Sequence, residues 1–171
     1  MNQAKNWNKK VTAAVLAGVL SASMAFGAFA AEKTAYVFSY GEKQVTVGED
    51  AKAAVKALGA AKDEKTLNNC AAGDGNVKDK VYLYEDFDLH ASTNEKGKQI
   101  VWEIALKNNK TATEEGLKLG DTAARVKQLY PNAQESYGIY TATLGSTQLI
   151  IDCGLKNDKV AAISYQYYEA K

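Results

Sequence analysis

Apolar and polar positions alternate along most of this chain, and the alternation is interrupted twice by a helical spacing. Tyr36, Phe38 and Tyr40 alternate with Val37 and Ser39, Gly41-Glu42-Lys43 reads as a turn, and Gln44 to Val47 reads as a second short strand, which together predict a hairpin. In "EDAKAAVKALGA" the period changes. Ala51, Ala54, Val55 and Leu58 fall on one helical face, Asp50 is placed to cap the first turn, and Gly59 to end the helix. Residues 61 to 80 have little periodicity and read as a loop. "KVYLYEDFDLHAS" alternates again, and as one strand it places Val81, Leu83, Phe87, Leu89 and Ala91 on one face and Tyr82, Tyr84, Asp86, Asp88 and His90 on the other. After a turn at "TNEKGK", the stretch "QIVWEIALKN" predicts a strand with Ile100, Trp102, Ile104 and Leu106 on one side.

The second half follows the same plan. "GLKLG" is a short extended piece. "DTAARVKQLYP" is a helix capped by Asp121 or Thr122, with Pro131 beyond its end. "YGIYTATLG", "STQLIIDCG" and "DKVAAISYQYYE" are three strands joined by tight turns at Gly145-Ser146 and Lys156-Asn157-Asp158. "VTVGEDAKAAVKALG" and "TEEGLKLGDTAARVKQLYP" share a layout: a short apolar run, Gly and an acidic residue, small residues, then Val-Lys-x-Leu. One helix-plus-meander unit is too small to bury a good core alone, and two side by side can share one. The expected fold class is α+β: two tandem units, residues 31–110 and 111–171, each a helix followed by an antiparallel meander, with the helices on one face of an antiparallel sheet.

The first thirty residues stand apart. Lys5, Lys9 and Lys10 precede an uncharged, mostly apolar run that ends in Ala28-Phe29-Ala30, the three-part layout of a secretory signal peptide cleaved after Ala30. The run is near the spanning minimum but is diluted by Ala, Gly and Ser, which argues against an uncleaved anchor. No Cys lies beside the cleavage point, so no thiol is there for a lipid anchor. The chain carries 21 basic and 20 acidic residues; three of the basic ones leave with the leader, so the remainder has 18 against 20. Its lysines are interspersed with acidic residues, which excludes the basic patch of a nucleic-acid binder and the polybasic segment of a membrane-surface protein. The expected location is secreted or extracytoplasmic, with no stable membrane anchor after cleavage. Two cysteines remain, Cys70 and Cys153. In an exported chain they form either one disulfide, worth ~3–5 kcal/mol in the chain-entropy view, or two separate thiols.

The doubled helix-plus-meander, with its Gly–acidic helix start and Val-x-x-Leu-Gly, resembles the tandem β-lactamase-inhibitor-protein-like (BLIP-like) fold, whose single-unit version occurs in outer-membrane-assembly lipoproteins of the SmpA/BamE type. "CAAGDGNVKDKVYLYEDFDLHAS" and "TATEEGLKLGDTAARVKQLYP" are also similar to stretches of exported proteins and lipoproteins of anaerobic Gram-positive bacteria, over nearly the whole chain from Tyr36 to Tyr168. Two features depart from that pattern: the lipobox Cys is absent, and Tyr130-Pro131 stands where many members have Tyr-Gly. The resemblance implies a protein-binding role, since BLIP-like folds host inhibitors and assembly factors alike.

Candidate chemistry is sparse. Asp86, Asp88 and His90 at spacing two on one strand face would suit a divalent metal, but a solvated strand face explains them as well, and the chain has a single His. "GDG" at Gly73–Gly75 lacks the strand–loop–helix setting of a phosphate loop. No Ser lies in a Gly-x-Ser-x-Gly or Ser-x-x-Lys context. A thiol enzyme would need Cys70 unpaired and near His90. No cofactor and no metal are expected. Ten tyrosines are the distinctive class. Tyr82, Tyr84, Tyr165 and Tyr167 are expected to form an aromatic stripe along the open sheet face, because Tyr offers contact area with a polar tip at low entropy cost. The expected function is a non-enzymatic protein-binding module, a hydrolase inhibitor or an envelope-assembly factor; a small-ligand or glycan binder using the same rings is the alternative.

Overall fold

The computed structural model describes residues 33–68, 78–93, 96–155 and 158–168. Every described residue belongs to one compact unit, Glu32–Lys171. The expected leader therefore lies outside the described residues.

Strands β1 (Phe38–Tyr40) and β2 (Lys43–Val45) form a separate antiparallel hairpin. Helix α1 (Ala51–Leu58) follows, capped by Asp50, whose carboxylate accepts the Ala53 N–H at 2.9 Å. Gly59 closes the helix at φ 92° and donates its N–H to the Val55 carbonyl. Four strands come next: β3 (Asp63–Asn68), β4 (Lys78–Leu83), β5 (Phe87–Thr93) and β6 (Gln99–Leu106). Helix α2 (Ala123–Leu129), capped by Thr122 through Arg125 N–H, leads into β7 (Gln134–Ser136), β8 (Ile139–Leu144), β9 (Thr147–Asp152) and β10 (Ala162–Tyr167). The fold class is α+β. Strands β3 to β10 form one antiparallel eight-stranded sheet in the order β3-β4-β5-β6-β10-β9-β8-β7. Each helix thus precedes a four-strand meander, and the last strands of the two meanders pair at the centre.

Register decides which residues meet the helices. One row across the sheet reads Tyr82, Leu89, Ile104, Tyr165, Leu149, Ala142, and every member is buried. The adjacent row reads Leu83, Asp88, Ala105, Ser164, Ile150, Thr141, all only half-buried. The buried row belongs to a single core together with Ala51, Ala54 and Leu58 of α1, Ala123 and Val126 of α2, and Phe38 and Val45 of the hairpin. Helices and hairpin therefore cover one face of the sheet; the other carries neither, although Asp79 and Val81 on it are buried.

One piece read as loop is a strand, and a second strand lies where none was expected. Asp63–Asn68 is the edge strand β3, and Gln134–Ser136 the opposite edge β7. Both lack alternation because an edge strand carrying charged or polar side chains buries little on either side. The single strand expected from Val81 to Ser92 is instead the hairpin of β4 and β5, turning at Tyr84-Glu85-Asp86. The turn changes the parity, so Tyr82 and Tyr84 share the core with Phe87, Leu89 and Ala91, while Val81 and Leu83 face the other way. In the second half Thr122, not Asp121, caps the helix; Asp121 Oδ2 accepts the Lys118 N–H instead.

The approach to each helix is built alike. Gly48 N–H donates to the Val101 carbonyl and Val101 N–H to the Glu49 carbonyl; Gly120 N–H donates to the Val160 carbonyl and Val160 N–H to the Asp121 carbonyl. Gly48 and Gly120 have φ of 94° and 90°, where a side chain is strained. A Cβ on Gly48 would also come within 2.6 Å of Tyr167 Cδ2, whereas one on Gly120 would meet open space. Urea titration should therefore show Gly120→Ala losing about 1–2 kcal/mol to backbone strain alone, and Gly48→Ala losing more than that.

Candidate binding face

Three of the four tyrosines expected on an open face lie beneath the helices. Tyr82 is 7 %, Tyr84 5 % and Tyr165 2 % exposed, and all three belong to the core. Tyr167 is half-buried and packs against the same core. Phe87 stacks on Tyr84 at 4.4 Å and tilts against Phe38 at 4.7 Å, and Phe38 meets Tyr165 edge-on at 5.7 Å. The expected aromatic stripe is thus a core layer. Its parity was misread at the β4–β5 turn, and in β10 the tyrosines share the face of the apolar Ile163, as alternation requires.

The uncovered face is mixed, with Leu83, Ala105 and Ile150 in one row and mostly polar side chains in the next. A row parallel to the one above reads Lys65, Val81, His90, Glu103, Gln166, Gln148, Thr143 across seven strands. Side chains tie it laterally: Gln166 Nε2 donates to Glu103 Oε1 at 3.0 Å, and Gln148 Nε2 to Thr143 Oγ1 at 3.2 Å. The strands put Asp63, Asp88, Glu103 and Asp152 on this face against Lys65, and Lys107 just past β6 pairs with Asp88 at 3.0 Å. That contact lacks hydrogen-bond geometry at Asp88 Oδ1, so it is an ion pair alone.

One aromatic does stand here, and the alternating pattern misplaced it. The register slips between His90 and Ala91, so that Ala91 faces Val101 and His90 faces Glu103. Trp102 falls in the slip. Val101 enters the core in its place, and the indole meets the His90 ring edge-on at 5.8 Å. Bulges re-aim side chains in this way. The Trp102 Nε1–H is buried with no acceptor among the described residues.

The remaining sequence candidates separate. Asp86 sits in the β4–β5 turn, where its carboxylate accepts from Tyr40 Oη at 3.0 Å and from Asn108 Nδ2 at 2.9 Å; Asn108 first, then Tyr40, hold its pKa below the usual carboxylate value. It anchors a turn and does not share the strand face of Asp88 and His90. No cluster of three metal-ligating side chains occurs among the described residues. Cys153 is a buried free thiol whose pKa is raised, by burial first and then by Asp158 and Asp152. Cys70, and with it "GDG" at Gly73–Gly75, lies outside the described residues. Asn68, two residues before Cys70, closes the edge strand β3, and Cys153 follows β9, five strands away in the sheet order.

The "TEEGL" stretch forms a second polar site. Thr113 N–H donates to the Leu117 carbonyl and Gly116 N–H to the Thr113 carbonyl, a tight turn that buries Leu117. Tyr130 Oη lies 2.5 Å from Glu115 Oε2 and 2.7 Å from Thr113 Oγ1. A carboxylate only accepts, so the Tyr130 proton points at Glu115; Thr113 donates back to the phenol oxygen while accepting the Leu117 N–H. Glu115 Oε1 takes Lys33, which also pairs with Glu114 at 2.8 Å. Burial pushes the Glu115 pKa up, but the Lys33 and Tyr130 hydrogen bonds outweigh it, and the pKa lies below the ordinary value of 4.5. Burial, then Glu115, drives the Tyr130 hydroxyl far above the tyrosine range, so it stays protonated. A cleft of about 270 Å³ opens beside this network, lined by Lys33, Tyr36, Tyr130, Ala133 and Thr143 among others.

Two measurements check these assignments. Tyr165 Oη is buried without a partner among the described residues, so Tyr165→Phe should leave the urea midpoint unchanged or raise it, whereas Tyr165→Ala should cost about 3–5 kcal/mol. An exposed interface tyrosine would not show the loss on replacement by Ala. Glu115 binds its proton at lower pH when folded than when unfolded, so its contribution is present above about pH 4.5 and is lost as pH falls through the lowered folded value. The stability gap between the parent and Glu115→Gln should therefore be widest at neutral pH and close below about pH 4 in urea titrations.

No family model and no curated protein matches the chain. Among solved structures, a cysteine-rich secretory protein of Staphylococcus aureus subsp. aureus Mu50 is similar at a TM-score of 0.44 and 13% identity, over 71% of this chain and 43% of that one. The chain thus spans less than half the length of that protein, and a likeness at this level identifies neither fold nor activity.

Proposed function

We propose that this chain is a secreted or cell-envelope, non-enzymatic protein-binding module, built from two tandem BLIP-like units (31–110 and 111–171) behind a cleaved leader (1–30). The duplicated Gly48/Glu49–Val101 and Gly120/Asp121–Val160 exchanges, each ahead of a helix and a four-strand meander, support the tandem reading. The observation that carries the binding reading is the one-sided cover of the sheet. An eight-stranded antiparallel sheet offers one face to helices and hairpin, and across the other runs a continuous half-buried row from Leu83 to Thr141. A rigid sheet face with small residues at its centre, Ala105 and Ser164, accepts a partner with little loss of side-chain entropy.

The partner is a protein presenting basic side chains. Asp63, Asp88, Glu103 and Asp152 outnumber Lys65 and Lys107 on this face, and charge complementarity of this kind steers association and selects partners. Trp102 and His90 supply the aromatic anchor that this mixed face needs. Inhibition of an extracellular hydrolase and help in envelope assembly both fit this surface.

Affinity capture with residues 31–171 as bait, against culture fluid and cell envelope of the producing organism, tests the reading. Ser164→Arg and Glu103→Lys, each on the uncovered face, should weaken capture at least tenfold while the far-UV circular dichroism stays that of the parent. Capture indifferent to both substitutions would place the interface elsewhere. Failure to capture any protein, with a thermal shift on adding glycans, would replace the protein partner with a small ligand.

A further inference from the structure

We propose that the pocket framed by Tyr36, Tyr130, Glu114 and Glu115 is a recognition site for a primary ammonium group, which the chain's own Lys33 fills in this structure. Lys33 Nζ sits 5.1 Å from the centre of the Tyr36 ring, pairs with Glu114 at 2.8 Å and hydrogen-bonds Glu115. Tyr36 is in turn set edge-on to Tyr130 at 6.1 Å. An aromatic face with carboxylates around one ammonium is the chemistry by which proteins bind amines.

The receptor half of this pocket does not depend on Lys33. Glu115 is fixed through Oε2 by Tyr130, and Tyr130 is buried in the core and held by Thr113. Tyr36 is fixed through its backbone, since its N–H donates to Thr147 Oγ1 at 2.7 Å. Lys33, by contrast, is a long side chain at the start of the described residues, about a third exposed. Its charge is matched against two carboxylates, so the pocket keeps a net negative charge even when Lys33 occupies it.

The pocket also has room next to it. Strand β7 ends at Ser136 and pairs only with Ile139–Thr141, while β8 runs on to Leu144. The cleft lies where β8 continues without β7, between the Tyr130–Ala133 segment and Ala142–Leu144. A ligand carrying an ammonium can place its stem there once Lys33 swings out. Lys33 then acts as a tethered competitor, and the apparent affinity of the pocket is reduced by the fraction of time it is filled. The cleft shares Thr143 with the edge of the uncovered sheet face but none of the charged or aromatic residues on which the protein-binding reading rests, so it stands or falls independently of that reading.

The test is isothermal titration of the full chain with two probes, cadaverine and Nα-acetyl-lysine amide, with 1,5-pentanediol, which has the stem without the ammonium, as the control. Lys33→Ala removes the competitor, and Lys33→Gln keeps a stem against Tyr36 while removing the charge. Both variants should bind the probes at least tenfold more tightly than the parent, and adding Glu115→Gln to either should reverse the gain. Binding of both probes would assign free amines and lysine side chains alike; binding of the amide alone would assign a lysine of a protein or peptide. If neither variant binds either probe while its circular dichroism matches the parent, or if Glu115→Gln leaves binding unchanged, the pocket is no ammonium site and Lys33 serves only as a surface ion pair.

Discussion

Three residue pairs at the middle of the sheet set the arrangement of everything around them. Ser164 faces Ala105, Tyr165 faces Ile104, and Gln166 faces Glu103. This is where the last strand of the first meander meets the last strand of the second. With this register Tyr165 and Ile104 enter the core and the four flanking residues look outward. A slip of one residue would turn Tyr165 to solvent and carry Ser164 and Gln166 beneath the helices. The two halves could then no longer share a core, and neither helix alone covers enough surface to hold a separate one: α1 has eight residues and α2 seven. The seam is also what makes the uncovered face continuous, because the same three pairs align the polar rows of both halves.

How far the sequence disclosed this depended on whether a local rule held to the end of its element. The helices were legible because cap, stripe and terminating Gly or Pro all agree, as at Asp50, Leu58 and Gly59. β8 and β9 were legible because the two-residue turn Gly145-Ser146 separates clean alternations, and β10 because its own alternation is clean, although residues 153–161 and not a tight turn join it to β9. The first half was read less well at two points, and each is a break in parity. Tyr84-Glu85-Asp86 contains neither Gly nor Pro, and its one turn-favouring residue, Asp86, also fits the polar side of an alternating strand. The slip at His90/Ala91 adds one residue on the β6 side, and Trp102 inside an apolar run gives no sign of it. These two breaks moved Tyr82 and Tyr84 into the core and Trp102 out of it. The edge strands β3 and β7 were missed for a different reason. An edge needs no apolar face, so Asp63-Glu64-Lys65 carries no periodic signal at all.

The doubled sentence in the sequence has a double meaning in the structure. Its Gly–acidic element does the same work in both halves: Gly48 and Gly120 adopt positive φ so that the chain can exchange two backbone hydrogen bonds with Val101 or Val160 before entering the helix. Ahead of that element the halves differ. In the first, the hairpin of β1 and β2 places Phe38 and Val45 over the core. In the second, the Thr113–Leu117 turn replaces the hairpin, and its polar groups are satisfied by Tyr130 and Lys33. The sequence marked "TEEGL" only as part of a pattern. Its chemistry depends on Tyr130 and on a lysine 82 positions away, a separation no local spacing rule reads.

Trp102 separates the demands of folding from those of recognition. Folding would be served by a strand without the slip at His90/Ala91, which would keep the ladder between β5 and β6 intact and bury the largest side chain of the run. The chain instead interrupts the ladder, gives the core position to Val101, and leaves an indole N–H without an acceptor among the described residues. An unsatisfied buried donor costs about 1–3 kcal/mol and an irregular strand adds to that. The neighbouring residues do not recover the cost: His90 offers a ring edge, and Glu103 is already engaged by Gln166. The indole is held at this cost on the face that neither the helices nor the hairpin cover, next to His90 and Glu103. The register of two strands thus puts Trp102 outside the core that holds Tyr82, Tyr84 and Tyr165.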